Sequence, residues 1–260
     1  MTSKAETVSA LLFGLWTDGK RIDQLPADLR PADEAEGYAI QALLEARSDG
    51  PLFGWKIAAT SLAGQAHIRV AGPLAGRILP ERVLKKGEDC VLGSNLMRVA
   101  ELEFAFRMAS SVEPRAQPYS VGEILERVGT LHPAIEVPDT RLTQFELAGA
   151  PQLVADNACA NLFLPGEATT ADWRAIDLSR HPVSGVVNGT AVHEGNGANV
   201  LGDPRVALAW LANQLSSLGI PLRVGQVVTT GTCVVPIAVA PGDHVRGDFG
   251  PLGEIELRFA

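Results

Sequence analysis

The chain has 260 residues and a formal net charge of −8 at pH 7, and it contains no block of basic residues. Nucleic acids and anionic membranes are therefore poor candidate partners, because both are bound by positively charged surfaces. The hydrophobic fraction of 46% permits a sizeable core, either in one large domain or in a core domain with a smaller helical appendage.

The three cysteines are widely separated, at Cys90, Cys159 and Cys233. Their odd number and the lack of a Cys-x-x-Cys pair indicate reduced thiols rather than a disulfide framework or a zinc cluster. The N-terminus lacks a basic region followed by a long apolar run, so we expect neither a signal peptide nor a membrane span. These features together predict a cytoplasmic protein.

The first fifty residues are predicted to form a helical N-terminal segment, 1–50. Apolar side chains recur at helical spacing within residues 3–17, and Asp33 is placed to cap a second helix that ends near Ala46. From residue 51 onward the sequence changes to short apolar runs separated by Gly and Pro. We therefore expect a second region, 51–260, that is rich in strands.

The first of these apolar runs carries a lysine, Lys56, between Trp55 and Ile57. One interpretation is a surface lysine on an edge strand. The other is a partly desolvated cation that can hold a carboxylate or exchange a proton. Ser61 follows at a position suited to capping a short helix, and 72–76 is predicted to be a turn-rich loop.

The run 99–106 is predicted to be a strand that carries Glu101 and Glu103. Side chains two apart on a strand project from the same face, so these carboxylates either lie on the wet face of a half-buried strand or form part of a site. A third carboxylate, Glu136, lies in the apolar run 133–137. Three converging carboxylates would suit Mg²⁺ or Mn²⁺.

Two further segments leave alternatives open. The polar residues Asp156 and Asn157 interrupt an apolar stretch, which is consistent with a loop entering a pocket or with an Asx turn or helix cap. Arg141 follows Glu136 by five residues and is suited either to a substrate carboxylate or to a structural ion pair.

The last third is predicted to contain hairpins and one helix. Asn188-Gly189 joins two apolar runs and suits a type I′ turn, and Asp203-Pro204 begins a strongly apolar helix. A Gly-x-Ser-x-Gly elbow and a Walker loop are absent from the sequence, and its histidines are scattered. The carboxylates and Lys56 are then the remaining candidates for metal ligands and catalytic groups. Carboxylate ligands favour an oxygen-ligated divalent metal over zinc.

Several motifs then occur in the order of a known family. They are Gly54-Trp-Lys-Ile-Ala-Ala-Thr-Ser61, Ala100-Glu-Leu-Glu-Phe-Ala-Phe106, Pro133-Ala-Ile-Glu-Val137 with Arg141, Ala155-Asp-Asn157, Gly202-Asp-Pro204, Ala209-Trp-Leu-Ala-Asn213, and the Thr230-Gly231 and Gly242-Asp243 turns. Over nearly its full length the chain resembles the 2-keto-4-pentenoate hydratase and 4-oxalocrotonate decarboxylase branch of the fumarylacetoacetate hydrolase superfamily.

The resemblance implies an α+β fold, a mixed, strongly curved β-roll with flanking helices, in which 51–260 is the catalytic domain. It implies Mg²⁺ or Mn²⁺ as the cofactor and Lys56 as a catalytic residue near the substrate. The implied metal ligands are Glu101, Glu103 and Glu136, and the implied substrate-binding residues are Ser61, Leu74, Arg141, Asp156, Asn157 and Cys159. Two positions depart from the usual pattern, because Leu74 replaces an acidic residue and Cys159 replaces a serine.

The activity implied is that of a divalent-metal-dependent lyase of small 2-oxo or 2-hydroxydienoic acids. Hydration of 2-hydroxypenta-2,4-dienoate is the first reading, with the metal chelating the 2-oxo acid and stabilising an enolate. Decarboxylation of 4-oxalocrotonate comes second, followed by carbon–carbon hydrolysis of an acylpyruvate and by a non-catalytic dicarboxylate-binding or partner subunit. The resemblance further implies a homo-oligomer, which can associate with a related decarboxylase or hydratase.

Overall fold

A computed structural model describes residues 2–260 as a mixed α+β fold. The helices are α1 (Lys4–Asp18), α2 (Glu34–Ala42), α3 (Leu62–His67), α4 (Val121–Leu125), α5 (Phe145–Ala155) and α6 (Pro204–Ser217). The strands are β1 (Gly54–Ala58), β2 (Leu74–Ile78), β3 (Val99–Met108), β4 (Val128–Val137), β5 (Leu162–Pro165), β6 (Pro182–Val187), β7 (Ala191–Asn196), β8 (Val227–Thr232), β9 (Ile237–Ala238), β10 (His244–Asp248) and β11 (Glu254–Arg258). Helices and strands together confirm the predicted α+β class.

The N-terminal helices begin where the sequence predicts. Ser3 caps α1 through a reciprocal pair of hydrogen bonds with Glu6, and Asp33 caps α2. Apolar side chains of both helices, among them Leu12 and Ile40, belong to the same buried cluster as side chains of the strands. The helical N-terminal segment is therefore packed onto the rest of the chain. The boundary between 1–50 and 51–260 stays a prediction.

Two sheets form the centre of the fold. The larger has the order β2-β1-β8-β3-β4-β5, with β9 also pairing with β3, and the smaller has the order β11-β10-β6-β7. The β1–β8 pair is parallel, whereas the other pairs are antiparallel. The long strands β3 and β4 each have a neighbour on both sides in the larger sheet, and most of their residues are buried.

The two faces of β3 have different neighbours. Leu102 points toward the smaller sheet, where a Cβ at Gly185 or Gly247 would lie 3.0 or 2.9 Å from its methyl groups. The two glycines thus allow β6 and β10 to approach β3 closely. Because side chains alternate along a strand, Glu101 and Glu103 project to the opposite face.

The segment 72–76 differs from its predicted loop conformation, because Leu74 begins strand β2. Leu74 pairs with Ala58 of β1 and is only 2% exposed. Although β2 is an edge strand, side chains satisfy its outer edge: the Tyr38 hydroxyl accepts from the backbone N–H of Ala75, and Gln41 donates to the Ala75 carbonyl. These distant partners, rather than local propensity, stabilise the strand.

The last third follows the sequence prediction closely. Asn188 and Gly189 both have positive φ, at 52° and 74°, as a type I′ hairpin turn requires. Asp203 caps α6, and Gly219 follows its end with a φ of 71°. Within residues 2–260, none of the helices has the length and apolar character needed to cross a bilayer.

Candidate functional site

Three carboxylates meet on one face of the larger sheet. Glu101 lies directly opposite Glu136 in the β3–β4 register, and Glu103 follows two residues along β3. One carboxylate oxygen from each of the three lies within 4.8 Å of the others. Glu103 and Glu136 are 0% and 1% exposed, whereas Glu101 is partly accessible. This geometry excludes the interpretation of the pair on β3 as a wet strand face.

The carboxylate of Glu103 is held by strand β8. Its Oε2 accepts hydrogen bonds from the Thr229 hydroxyl and from the backbone N–H of Gly231, the latter at 2.8 Å. Gly231 has a φ of 103°, and a Cβ there would lie 2.1 Å from the Thr60 hydroxyl oxygen. Only glycine therefore fits at the position that donates this hydrogen bond.

Two buried oxygens of the cluster lack a protein partner among the described residues. Among the described residues, no hydrogen bond or ion pair reaches Oε1 of Glu103 or Oε1 of Glu136, whereas Oε2 of Glu136 lies 3.1 Å from Nζ of Lys56. Burial, followed by the charge of Glu101, raises the pKa of Glu103 to about 8. Burial likewise raises the pKa of Glu136 well above its ordinary value. Without a cation in addition to Lys56, this arrangement is electrostatically unfavourable.

Lys56 lies beside the carboxylates and is only 3% exposed. Its Nζ is 3.1 Å from Oε2 of Glu136 and donates a hydrogen bond of 3.1 Å to the backbone carbonyl of Ala158. Burial opposes the charged form of Lys56, but the carboxylates of Glu136 and Glu101 outweigh it and raise its pKa above the usual lysine value. The surface-lysine alternative is excluded, since β1 lies between β2 and β8.

A divalent cation fits the donor set of this site. Three carboxylates are hard oxygen ligands of the kind that Mg²⁺ and Ca²⁺ bind, and two of their buried oxygens, Oε1 of Glu103 and Oε1 of Glu136, have no protein partner among the described residues. A single ammonium at Lys56 does not neutralise three carboxylates. The charge of a divalent cation would offset the repulsion that raises the pKa of Glu103.

An unusual turn follows α5 and packs against β2. Asn157, Ala158 and Cys159 have consecutive φ values of 56°, 49° and 60°, all in the left-handed region. This conformation costs non-glycine residues on the order of 1 kcal/mol or more each. The Asn157 amide secures the turn: Oδ1 accepts from the backbone N–H of Arg77 at 2.7 Å, and Nδ2 donates to the Arg77 carbonyl at 2.9 Å.

Arg141 and Asp156 bind each other in the interior. The guanidinium donates through Nε to Oδ1 of Asp156 and through a terminal nitrogen to the Asp156 carbonyl, while Oδ2 accepts from the Thr140 hydroxyl at 2.6 Å. Both side chains are at most 1% exposed. These contacts favour the ion-pair alternative for Arg141, and the predicted substrate contacts of both residues stay untested.

The other residues predicted to bind substrate occupy different settings. Ser61 caps α3, its hydroxyl accepting from the backbone N–H of Gly64 at 3.0 Å. Cys159 is buried, which raises the pKa of its thiol to about 12 and keeps it neutral. Leu74 lies on the same face of β1–β2 as Lys56, because Ala58 pairs with Leu74 where Lys56 pairs with Gly76.

Several residues that shape the site were not predicted from the sequence. Thr229 and Gly231 orient Glu103, while Gly76 provides space beside Lys56. A threonine pair followed by glycine within an apolar strand is a weak signal for Thr229 and Gly231. No local signal distinguishes Gly76 from an ordinary turn glycine.

Comparison with known proteins gives a consistent result. Residues 78–260 match the family model described as fumarylacetoacetate (FAA) hydrolase C-terminal. The chain is 30% identical over 261 residues to 2-keto-4-pentenoate hydratase 1 of Dechloromonas aromatica (strain RCB), covering 98% of this chain and 97% of that protein. It is 29% identical over 230 residues to a 4-oxalocrotonate decarboxylase of Pseudomonas putida, covering 86% and 85%.

Among solved structures, the fold is similar to 4-oxalocrotonate decarboxylase from Pseudomonas putida G7, complexed with magnesium and adipate. The TM-score is 0.88 at 25% sequence identity, and the match covers 98% of this chain and 96% of the other. The similarity therefore includes the N-terminal helices as well as the two sheets.

Proposed function

The chain belongs to the fumarylacetoacetate hydrolase family, and from this membership we propose a hydratase that acts on 2-hydroxypenta-2,4-dienoate, the enol of 2-keto-4-pentenoate. The relatives named above are hydratases and decarboxylases, so the chain is an enzyme. One observation carries the proposal: three carboxylates and a buried lysine converge in a chain that aligns with a hydratase over almost its whole length.

The proposed cofactor is Mg²⁺, held by Glu101, Glu103 and Glu136. The related decarboxylase was complexed with magnesium, and the carboxylate set here is equally suited to Mn²⁺. When bound, the ion would supply Lewis-acid stabilisation of negative charge developing on the 2-oxygen of a 2-oxo acid.

The protein's own groups account for the remaining requirements. Thr229 and Gly231 fix one oxygen of Glu103 and leave the other directed away from protein donors. Lys56 carries a positive charge into a buried acidic site, where it is suited to hold the substrate carboxylate or to pass a proton to the substrate carbon. Both roles require the ammonium to stay at a defined position.

Decarboxylation of 4-oxalocrotonate is the second candidate, and a specific observation favours it. Leu74 presents an apolar side chain on the Lys56 face, where the family resemblance leads us to expect an acidic residue. Decarboxylation needs no activated water, so an apolar residue there interferes less with loss of CO₂ than with hydration. Hydration remains first because hydratases of this name align over the greater length.

The assembly and location of the enzyme are also proposals. We expect a homo-oligomer that operates in the cytoplasm on a small 2-oxo acid, with association to a related decarboxylase or hydratase as a further expectation. Size-exclusion chromatography with light scattering would measure the number of subunits directly.

The activity is tested by incubating the protein with Mg²⁺ and, separately, with 2-hydroxypenta-2,4-dienoate or 4-oxalocrotonate. Hydration predicts loss of the ultraviolet absorbance of the dienoate without release of CO₂. Release of CO₂ from 4-oxalocrotonate, with no consumption of the dienoate, would overturn the hydratase assignment in favour of the decarboxylase.

A further inference from the structure

The left-handed turn at Asn157–Cys159 supplies the only protein hydrogen-bond acceptor that the described residues offer to Lys56 besides the Glu136 carboxylate. We propose that this turn is a positioning element: Asn157 fixes the Ala158 carbonyl, and that carbonyl fixes the Lys56 ammonium beside Glu136. Asn157 is then a positioning residue rather than a substrate contact. The kinetic consequence rests on the proposed function, whereas the placement of Lys56 does not.

The turn cannot be held by its own backbone preference. Three successive L-residues in the left-handed region are unfavourable, and none of them is glycine. The Asn157 side chain compensates by hydrogen-bonding both the N–H and the carbonyl of Arg77 on the outer edge of β2. In this way the position of the turn is tied to the sheet that carries Lys56, since β1 and β2 are paired.

Gly76 provides the space in which the turn meets the lysine. It lies opposite Lys56 on β2, and a Cβ added there would be 2.4 Å from the Asn157 carbonyl oxygen and 3.1 Å from Cγ of Lys56. The backbone of the turn and the aliphatic part of the lysine therefore both lie against Gly76, with no room for a side chain there. Contact on this side and the Ala158 carbonyl at the end of the side chain together restrict Lys56.

The restraint on Lys56 also determines the direction of the N–H group that remains free to contact a substrate. Lys56 has three N–H groups, of which one is directed to the Ala158 carbonyl and another lies near Glu136. The third has no acceptor among the described residues. Fixing the first two therefore orients the third, which would be presented to the carbon of a bound 2-oxo acid that receives a proton.

The Asn157→Gly variant tests the side chain without adding strain, because glycine adopts positive φ readily. Asn213→Ala is the matched control: the Asn213 amide accepts from the Tyr119 N–H at 2.7 Å and donates to its carbonyl at 3.0 Å, the same pair of bonds made elsewhere. Gly76→Ala perturbs the contact from the other side.

The first readout is independent of activity. The chain has five lysines, so protein labelled with ¹³Cε-lysine should give few signals, and loss of one in Lys56→Met assigns Lys56. We expect the Lys56 signal to move toward those of the exposed lysines in Asn157→Gly and in Gly76→Ala, and to stay in place in Asn213→Ala. A folded Asn157→Gly protein with an unchanged Lys56 signal would overturn the proposal.

The second readout is steady-state kinetics at saturating Mg²⁺. Asn157→Gly should lower kcat by about 10- to 100-fold with little change in KM, since small misplacements of catalytic groups have effects of this size. In a Lys56→Met background, Asn157→Gly should lower kcat little further, because both substitutions act on the same function, that of the Lys56 ammonium. A raised KM with unchanged kcat would instead assign Asn157 to substrate binding.

The two readouts also separate this proposal from the proposed function. If the wild-type protein consumes none of the tested acids, the assignment as a hydratase or decarboxylase fails, while the lysine signals still decide whether Asn157 positions Lys56. If activity is present and Asn157→Gly changes neither kcat nor the Lys56 signal, the positioning role alone is wrong.

Discussion

Glu101 on β3 stands directly opposite Glu136 on β4, so two carboxylates are neighbours across an antiparallel strand pair. Like charges in this relationship destabilise a sheet. Glu103, fully buried on the same face, adds a third carboxylate to the cluster. The chain therefore maintains an arrangement that favours binding of a cation over stability of the cation-free protein.

Replacing Glu101 by glutamine tests this relationship. We expect Glu101→Gln to weaken Mg²⁺ binding by more than about 100-fold, since even loss of an outer-shell partner costs 10- to 100-fold. The free energy of unfolding of the metal-free protein should not fall, because one repulsive charge is removed. Calorimetric titration and urea unfolding measure the two quantities. Glu113→Gln, which removes an exposed carboxylate, is the control; equal affinities in the two variants would exclude Glu101 as a ligand.

Gly231 predicts a specific effect of backbone geometry on the site. An alanine there would be strained at a φ of 103° and would meet the Thr60 hydroxyl at 2.1 Å, displacing the N–H that holds Glu103. Gly231→Ala should therefore reduce both stability, by about 1–3 kcal/mol for the strain alone, and Mg²⁺ affinity.

Gly242→Ala is the matched control for Gly231→Ala. Gly242 has a similar φ of 93°, but a Cβ there meets nothing within 4 Å. Gly242→Ala should lower the free energy of unfolding through backbone strain while leaving Mg²⁺ affinity at the wild-type value. If calorimetry gives the same Mg²⁺ affinity for both variants, Gly231 has no role in orienting Glu103.

Arg141 provides a test of structural against substrate-binding roles. Removing one partner of a buried ion pair leaves an uncompensated charge, so Arg141→Met should lower the free energy of unfolding by about 3–5 kcal/mol. Arg246→Met, which breaks the exposed pair with Glu254, should cost about 0–1 kcal/mol. Urea unfolding measures both. A small loss of stability combined with a large rise in KM for Arg141→Met would restore the predicted substrate contact.

Leu74 places an apolar side chain on the same face of β1–β2 as Lys56, and substitutions there change the polarity of that face. If hydration is limited by the missing acid, Leu74→Asp should increase the hydration rate, at a cost in stability because the site is buried. Leu74→Asn, similar in shape but uncharged, separates the effect of the charge from that of polarity. If a folded Leu74→Asp protein hydrates the dienoate at the wild-type rate, decarboxylation becomes the favoured activity. That activity is measured as release of CO₂ from 4-oxalocrotonate.

Local sequence predicts some of these features well, because local rules govern them. The spacing of Glu101 and Glu103 places both on one face of any strand, and Asn188-Gly189 and Asp203-Pro204 mark a turn and a helix start that depend on nearby residues alone. The α+β class follows from the same patterns together with the family resemblance.

Features that depend on distant partners were not predictable in this way. Gly72-Pro73 suggests a loop, yet β2 forms because Tyr38, Gln41 and Asn157 satisfy its edge. Whether the chain forms a pocket loop or a turn at Asn157 likewise depends on a hydrogen bond to the backbone of Arg77, 80 residues earlier. The register that sets Glu101 against Glu136 is a property of the assembled sheet, not of either strand.

The most direct test of the metal-dependent activity is consumption of 2-hydroxypenta-2,4-dienoate by protein stripped of metal with a chelator and then dialysed. The carboxylate site predicts no turnover by the stripped protein, recovery on addition of Mg²⁺, and no recovery in Glu103→Gln at the same Mg²⁺ concentration. Full turnover by the stripped wild-type protein, or full recovery in Glu103→Gln, would contradict the assignment of these carboxylates as the metal site of the enzyme.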